Sequence, residues 1–427
     1  MSEFGRLNKS FTPVFFIFFV LFLSCPSFAF PQESFTISPE DTAFLEKIQK
    51  DSFAYFPKFS NRKTGLILDH SSSSSPSSIA ATGFGLASYA IAQKHGWIGY
   101  KEAYDSIIKI LKTLHEKGAH KNGFYYHFLD PETGKRTWSS EASSIDTALL
   151  MAGALLAGQY FKGTEIEKLA NHLYESVRWD WMLNSTKQMC HGWKPDRGFL
   201  PHYWDMYSEH LILIALAIGS STYSISERTW QEWDRFEDEY NGRRIVYSFS
   251  GSLFTYQYPH AFIDFQNLDD QGINYFENSK QATLANREFC ILNQDLYPSY
   301  SETIWGLSAS LGPDGYKAYG AKPGIAEHDG TIAPYTLASS LVFTPQESLD
   351  ALRFIYENYG NRIYGDYGFK DAFNLERNWF SGEYLGIDQG IIVIMLENFL
   401  NDGDVWKRFM SLPAIQEWIR KTGLQKD

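Results

Sequence analysis

The sequence is poor in cysteine and in positive charge. Its 427 residues include three cysteines, and 38 lysines and arginines stand against 50 acids. The basic residues occur singly or in pairs such as Arg243-Arg244, never as a patch. A formal net charge of −12 without such a patch excludes a phosphate-tracking nucleic-acid binder. It also disfavours a polyanionic substrate such as a polyuronate. Motifs for other chemistries are missing too: there is no GxSxG, no HExxH and no P-loop. No internal repeat and no linker divides the chain. What is abundant is aromatic: 33 Phe, 26 Tyr and 12 Trp, in a chain that is 44% hydrophobic. Such a composition excludes disorder. It fits a large core, and it also fits a cleft that stacks on a flat, neutral ligand.

Residues 1–29 are expected to form a secretory signal peptide. Arg6 and Lys9 precede the apolar run Val14–Leu23, and Ser27-Phe28-Ala29 offers a small-residue cleavage site. The run is too short to span a bilayer, so no transmembrane segment is expected. The mature chain is then exported, to the periplasm or beyond. Leu23-Ser24-Cys25 offers a competing reading, a lipoprotein site with Cys25 as lipid anchor, against which Phe22 stands where Leu is usual. Cys190 and Cys290 remain in the mature chain, and their pairing is left open by sequence. No histidine cluster has ligand spacing, so no metal and no cofactor are expected.

Residues 30–427 read as one domain, almost entirely helical. One set of segments is amphipathic: a helix opened by Ser38 and Pro39, then about 102–117, 164–184, 271–292, 345–359 and 404–421. A second set is apolar nearly all round and rich in Gly, Ala and Ser: 78–94, 144–161, 207–219, 301–311, 332–343 and 388–400. Helices without a polar face must be enclosed by others. The expected solution is a double ring, with six inner helices covered by six outer ones. Segment 245–265 reads as strand-like or irregular, and 124–138 as a hairpin around Pro131-Glu132-Thr133-Gly134.

Acids gather where the apolar helices begin. Glu141 and Asp146 flank the second, Glu209 the third and Glu302 the fourth. Asp329 precedes the fifth, while Glu383 and Asp388 flank the sixth. Capping and the helix dipole explain any one of them. Together they place charge beside apolar helices, where carboxyl pKa values are driven apart. Two carboxylates with aromatic walls, and no nucleophilic serine or metal, point to glycoside hydrolysis. His191, His202, His210, His260 and His328 read as structural or substrate-contact groups rather than catalysts.

Several stretches carry a resemblance. They include SIAATGFGLASY (78–89), SSIDTALLMAG (143–153), YSEHLIL (207–213), FTYQYPHAFIDF (254–265) and WGLSASLGPDGYKAYG (305–320). HDGTIAPY (328–335), YGFKDAFN (367–374) and YLGIDQGIIVIMLENF (384–399) continue the series in order. On these the chain resembles the bacterial glycoamylase-like domain family, which includes endo-β-1,2-glucanases. The resemblance implies an all-α fold, an (α/α)6 barrel with short β hairpins in its loops, and hydrolysis of a neutral β-glucan, β-1,2-glucan above all. It implies Glu209 as general acid and Asp388 as the other essential carboxylate, the base. Glu141, Asp146, Glu302 and His260 are then sugar contacts, with Asp329 and Glu383 on the acidic rim. Trp305, Tyr316, Tyr367 and Trp379 are the expected cleft aromatics. Two positions depart from the family pattern, which has Arg where this chain has His70 and Gln266, so two positive groups near the mouth are lost.

The leading reading is an exported, monomeric hydrolase of a neutral oligo- or polysaccharide. A non-catalytic glycan-binding envelope protein and a glycosidase or transglycosylase on another glucan are the alternatives. A lyase would need Arg, Lys or metal to neutralise a uronate, and the acidic charge balance of this chain disfavours that.

Overall fold

In the computed structural model, residues 35–426 are described. The chain divides into Met1–Thr36 and Ile37–Asp427, and every element below belongs to the second unit. The expected leader and Cys25 lie outside the described residues.

The helices are α1 (Pro39–Phe53), α2 (Tyr55–Lys58), α3 (Ile79–Lys94), α4 (Tyr100–Glu116), α5 (Ser144–Tyr160), α6 (Glu165–Glu175) and α7 (Leu211–Gly219). They continue with α8 (Phe254–Phe262), α9 (Tyr275–Leu292), α10 (Tyr335–Ser340), α11 (Pro345–Ile363), α12 (Gly386–Leu400), α13 (Asp404–Met410) and α14 (Pro413–Thr422). Between them lie small antiparallel sheets of two or three short strands. The fold is therefore mostly helical, as the periodicity predicts.

The apolar helices form the core. Every residue of α7 and α10, and nearly all of α3, α5, α8 and α12, is buried. α3 packs on α5, α5 on α7, α7 on α8, α8 on α10, α10 on α12, and α12 again on α3. Each also meets an amphipathic partner: α4 on α3, α6 on α5, α14 on α7, α9 on α8, α11 on α10 and α1 on α12. The small residues have a steric reason. A Cβ on Gly153 of α5 would sit 1.9 Å from the carbonyl oxygen of Gly83 on α3. The two backbones touch there, and only glycine permits it.

The local signals hold at several ends. The Ser38 hydroxyl accepts the Asp41 amide at 3.0 Å, with Pro39 opening α1. Leu129 bridges Arg136 across the Pro131–Gly134 turn, as the hairpin reading expects. Cys190 and Cys290 are both free and buried. Among the described residues no helix is long and apolar enough to cross a membrane.

Two expectations are corrected. Of 245–265, expected to be strand-like or irregular, Ile245 and Val246 end the strand Arg243–Val246, but Phe254–Phe262 is the helix α8. Its Phe, Tyr and Thr favour strands locally, but burial of eight of its nine residues imposes helical packing. Conversely, 301–311 is not a helix. It runs irregularly into the hairpin Ser310–Gly312/Gly315–Lys317. Gly306 there has φ +118°, a conformation open to glycine alone, and its missing Cβ would meet Thr336 of α10 at 2.4 Å. Two outer helices are also shorter than their periodicity: 164–184 stops at Glu175, and 404–421 breaks before Pro413.

Candidate active site

Three of the expected acids stand at the starts of core helices. The Ser143 hydroxyl accepts the Asp146 amide and caps α5, placing Asp146 in its first turn. Glu209 lies two residues before α7, and Asp388 in the first turn of α12. Glu141, Asp146 and Glu209 line one cavity of about 330 Å³, together with Asp69, His127, His191, Trp204, Phe254, Tyr258, Tyr316 and Tyr335. A second cavity of about 580 Å³ shares His191, Trp204, Glu209 and Phe254 with the first. Glu209 thus stands at the junction of the two.

The carboxyls are in different electrostatic states. Burial pushes Glu209 up to about 7, against a hydrogen bond from the Ser208 hydroxyl, and the charge of Asp146 adds to the rise. Glu141 is held at about 2 by its hydrogen bond to His127 Nδ1 at 3.1 Å. Burial opposes charge on His127, but Asp146, 3.6 Å away, and Glu141 outweigh it and raise the imidazole to about 9. These three side chains bring one donor atom each within 4.8 Å of one another. They are the one metal-like cluster among the described residues, and within it His127 bridges the carboxylates of Glu141 and Asp146.

Asp388 is 2% exposed and does not line the cavity. Its neighbour Ile387 lines the space, and its charge is felt by Tyr258, Tyr316 and Tyr335, which do too. Burial, and then the Asp371 carboxylate, push Asp388 well above the usual range. Asp371 is itself fully buried, raised by burial, and accepts the Leu311 amide at 2.7 Å. Two carboxyls in this setting cannot both ionise, so the pair holds a proton between them.

Of the expected aromatics, Tyr316 alone lines the cavity, carried by the Ser310–Lys317 hairpin. The other expected contacts stand elsewhere. His260 is fully buried, hydrogen-bonded through Nε2 to Ser279 and enclosed by Phe265, Phe276 and Phe343. The helical state of α8 is the reason. Phe254 and Tyr258 share its cavity face, and His260, two residues on, points the other way. Glu302 is exposed, because its segment is not a helix and sets no acid at a helix start. Trp305 is wholly buried. Asp329 is occupied by the Tyr319 hydroxyl and by Thr331. Glu383 accepts from Ser71, Tyr367 packs on Phe59 and Tyr384, and Trp379 sits in a strand opposite Asn374. None of these seven lines either cavity.

Gln266 likewise lines a separate depression with Asp264 and Trp406. His70 stays near the site, where a hydrogen bond to Asp69 raises its pKa. Sequence reasoning missed Asp371, Asp69, His127, Trp204, Tyr258 and Tyr335. Asp371 and Asp69 lie in loops, so a search for acids at helix starts passes them by. Tyr258 would follow from Phe254 by helical spacing, had 254–262 been read as a helix.

A family model described as "Putative glucoamylase" matches residues 201–413. Among curated proteins, the exo β-1,2-glucooligosaccharide sophorohydrolase (non-reducing end) of Parabacteroides distasonis is 30% identical over 420 residues. That alignment takes in 89% of this chain, and the chain spans 58% of the length of that relative. The endo-β-1,2-glucanase from Chitinophaga pinensis, solved with sophorotriose and glucose, superposes with a TM-score of 0.85 at 29% identity, covering 92% of this chain and 99% of that one. A putative glucoamylase from Bacteroides uniformis superposes equally well, TM-score 0.85, at 32% identity over 92% of this chain and 99% of that one. With that identity over almost the full length of a solved relative, the chain belongs to the glycoamylase-like family.

Proposed function

We propose that the chain is a glycoside hydrolase of neutral β-glucan, with β-1,2-glucan as its substrate, working by carboxylate acid/base catalysis. The observation that carries this reading is Glu209, a buried carboxyl raised to about 7 at the junction of two cavities. A protonated acid there can deliver its proton to the glycosidic oxygen between sugars held on either side. Asp388, paired with Asp371, accepts the proton of the attacking water, directly or through a sugar hydroxyl. Glu141, Asp146 and Tyr316 bind sugar, and Trp204 and Phe254 offer stacking faces. The substrate assignment draws on the sophorohydrolase and endo-β-1,2-glucanase relatives.

The closed sequence of helix contacts supports the finer architecture, an (α/α)6 barrel with its site at one mouth. The enzyme is a monomer, one domain over 30–427, exported by the 1–29 leader to the periplasm or outside the cell, with Cys25 anchorage the alternative outcome of that export. Incubating the purified chain with β-1,2-, β-1,3- and β-1,6-glucans and starch tests the reading. Reducing ends should appear with the first. Binding of a glucan without release would favour a non-catalytic glycan-binding protein.

A further inference from the structure

The loop before Glu141 presents an aromatic side chain that the core does not need. Trp138 is 60% exposed, against a fold that buries most of its tryptophans. Its backbone is left-handed, φ 52°, and so is that of Ser139, φ 51°. Two consecutive non-glycine residues in that region are strained, and such strain persists only where neighbours hold it. Arg136 is the clamp. Its guanidinium donates to the carbonyls of Ser139 and Ser140, lies over the Tyr126 ring, and reaches Asp196 at 3.8 Å on the neighbouring hairpin. The Ser140 hydroxyl ties the end of the loop to the backbone of Phe128.

The strained loop holds Trp138 against a ring that adjoins the cavity wall. Its ring centroid is 5.1 Å from that of Phe128. Phe128 in turn stacks on His127 at 3.9 Å and 15°. His127 lines the first cavity and is paired with Glu141, three residues beyond Trp138. Ring contacts, tilted at Trp138–Phe128 and stacked at Phe128–His127, therefore lead from the cavity wall to an exposed indole. Sugar rings bind indole faces through their apolar C–H surfaces, and a polymer that fills the cavity must continue past its rim.

We infer that Trp138 is an outlying sugar-binding platform, which engages a β-glucan chain running beyond the cavity and makes the site favour long substrates over short ones. The inference rests on the glucan-hydrolase reading above, and goes beyond it by adding a subsite outside both cavities. The backbone conformation supplies a clean variant. Trp138→Gly removes the ring and relieves the left-handed strain, so its fold is retained.

The test compares wild type, Trp138→Gly and Trp138→Phe on long β-1,2-glucan and on the shortest β-1,2-oligosaccharide that wild type cleaves. KM for the polymer should rise about three- to tenfold in Trp138→Gly, with kcat unchanged and the short substrate unaffected. Trp138→Phe should recover part of the loss. Equal polymer and oligosaccharide kinetics in wild type and Trp138→Gly would overturn the platform while leaving the hydrolase reading intact. Should wild type cleave no glucan, retardation in gels containing β-1,2-glucan decides. Retarded wild type with unretarded Trp138→Gly upholds the platform alone, and equal migration removes it.

Discussion

Asp371 and Asp388 face one another as two buried carboxyls. Among the described residues, Asp371 Oδ1 and Asp388 Oδ2 have no donor of their own. One proton between them serves both. Replacing Asp371 by Asn puts an amide donor beside Asp388 and removes the competing charge. Asp388 then ionises more readily and is a weaker base. The acid limb of the pH–rate profile should move to lower pH and kcat should fall, with the melting temperature near that of wild type. A profile that keeps its acid limb would contradict the pairing.

Asp388→Asn removes the proposed proton acceptor. Turnover should drop about a hundred- to ten-thousand-fold, with KM changed little, since the group is buried and does not line the cavity. Steady-state kinetics on β-1,2-glucan measure both values. A large KM change with kcat preserved would make Asp388 a sugar contact instead.

Glu209 also writes a pH dependence into stability. Its folded pKa of about 7 exceeds its ordinary 4.5, so the folded state holds this proton more tightly than the unfolded chain. Stability from this group is complete below about pH 4.5 and is lost as pH rises to about 7. At pH 8 the loss amounts to about 3 kcal/mol at most. Glu209→Gln should therefore gain stability relative to wild type at pH 8 and little at pH 4.5. Urea melts at the two values read the difference.

The contact of α3 with α5 predicts a fold-level effect. Gly153→Ala forces a methyl into the Gly83 carbonyl oxygen, where no flexible side chain can yield. Separating the helices should destabilise the protein by about 1–3 kcal/mol or more. Gly96→Ala is the contrast within the same fold for space, since nothing lies within 4 Å of its Cβ, although its φ of +67° carries its own smaller strain. Thermal melts of the two variants should rank Gly153→Ala as clearly the less stable.

The parts of the fold legible in sequence were those where one physical signal dominated. α3, α5 and α12 lack a polar face, and nothing but enclosure accommodates such helices. The stretches 254–262 and 301–311 exchanged roles because local preference and tertiary packing pulled apart. Phe, Tyr and Thr favour strands in isolation, and Gly306 reads as a small helix residue until the approach of Thr336 is known. The carboxyls proposed for the site follow the same rule. Glu209, Asp146 and Asp388 stand at or beside helix starts, where periodicity marks them. Asp371 sits between the short strands Gly368–Phe369 and Phe373–Asn374, with no periodicity to mark it. Trp305 and His260 were misplaced because residue type alone does not tell a core ring from a cleft ring.

The most direct test of the central claim is the turnover of Glu209→Gln on two substrates. One is β-1,2-glucan, whose leaving sugar hydroxyl needs a proton. The other is an aryl β-1,2-glucooligosaccharide whose phenolate departs without one. If Glu209 is the general acid, the variant loses about a hundred- to ten-thousand-fold on the glucan and far less on the aryl substrate. Equal losses on both, or full activity on the glucan, would contradict the assignment.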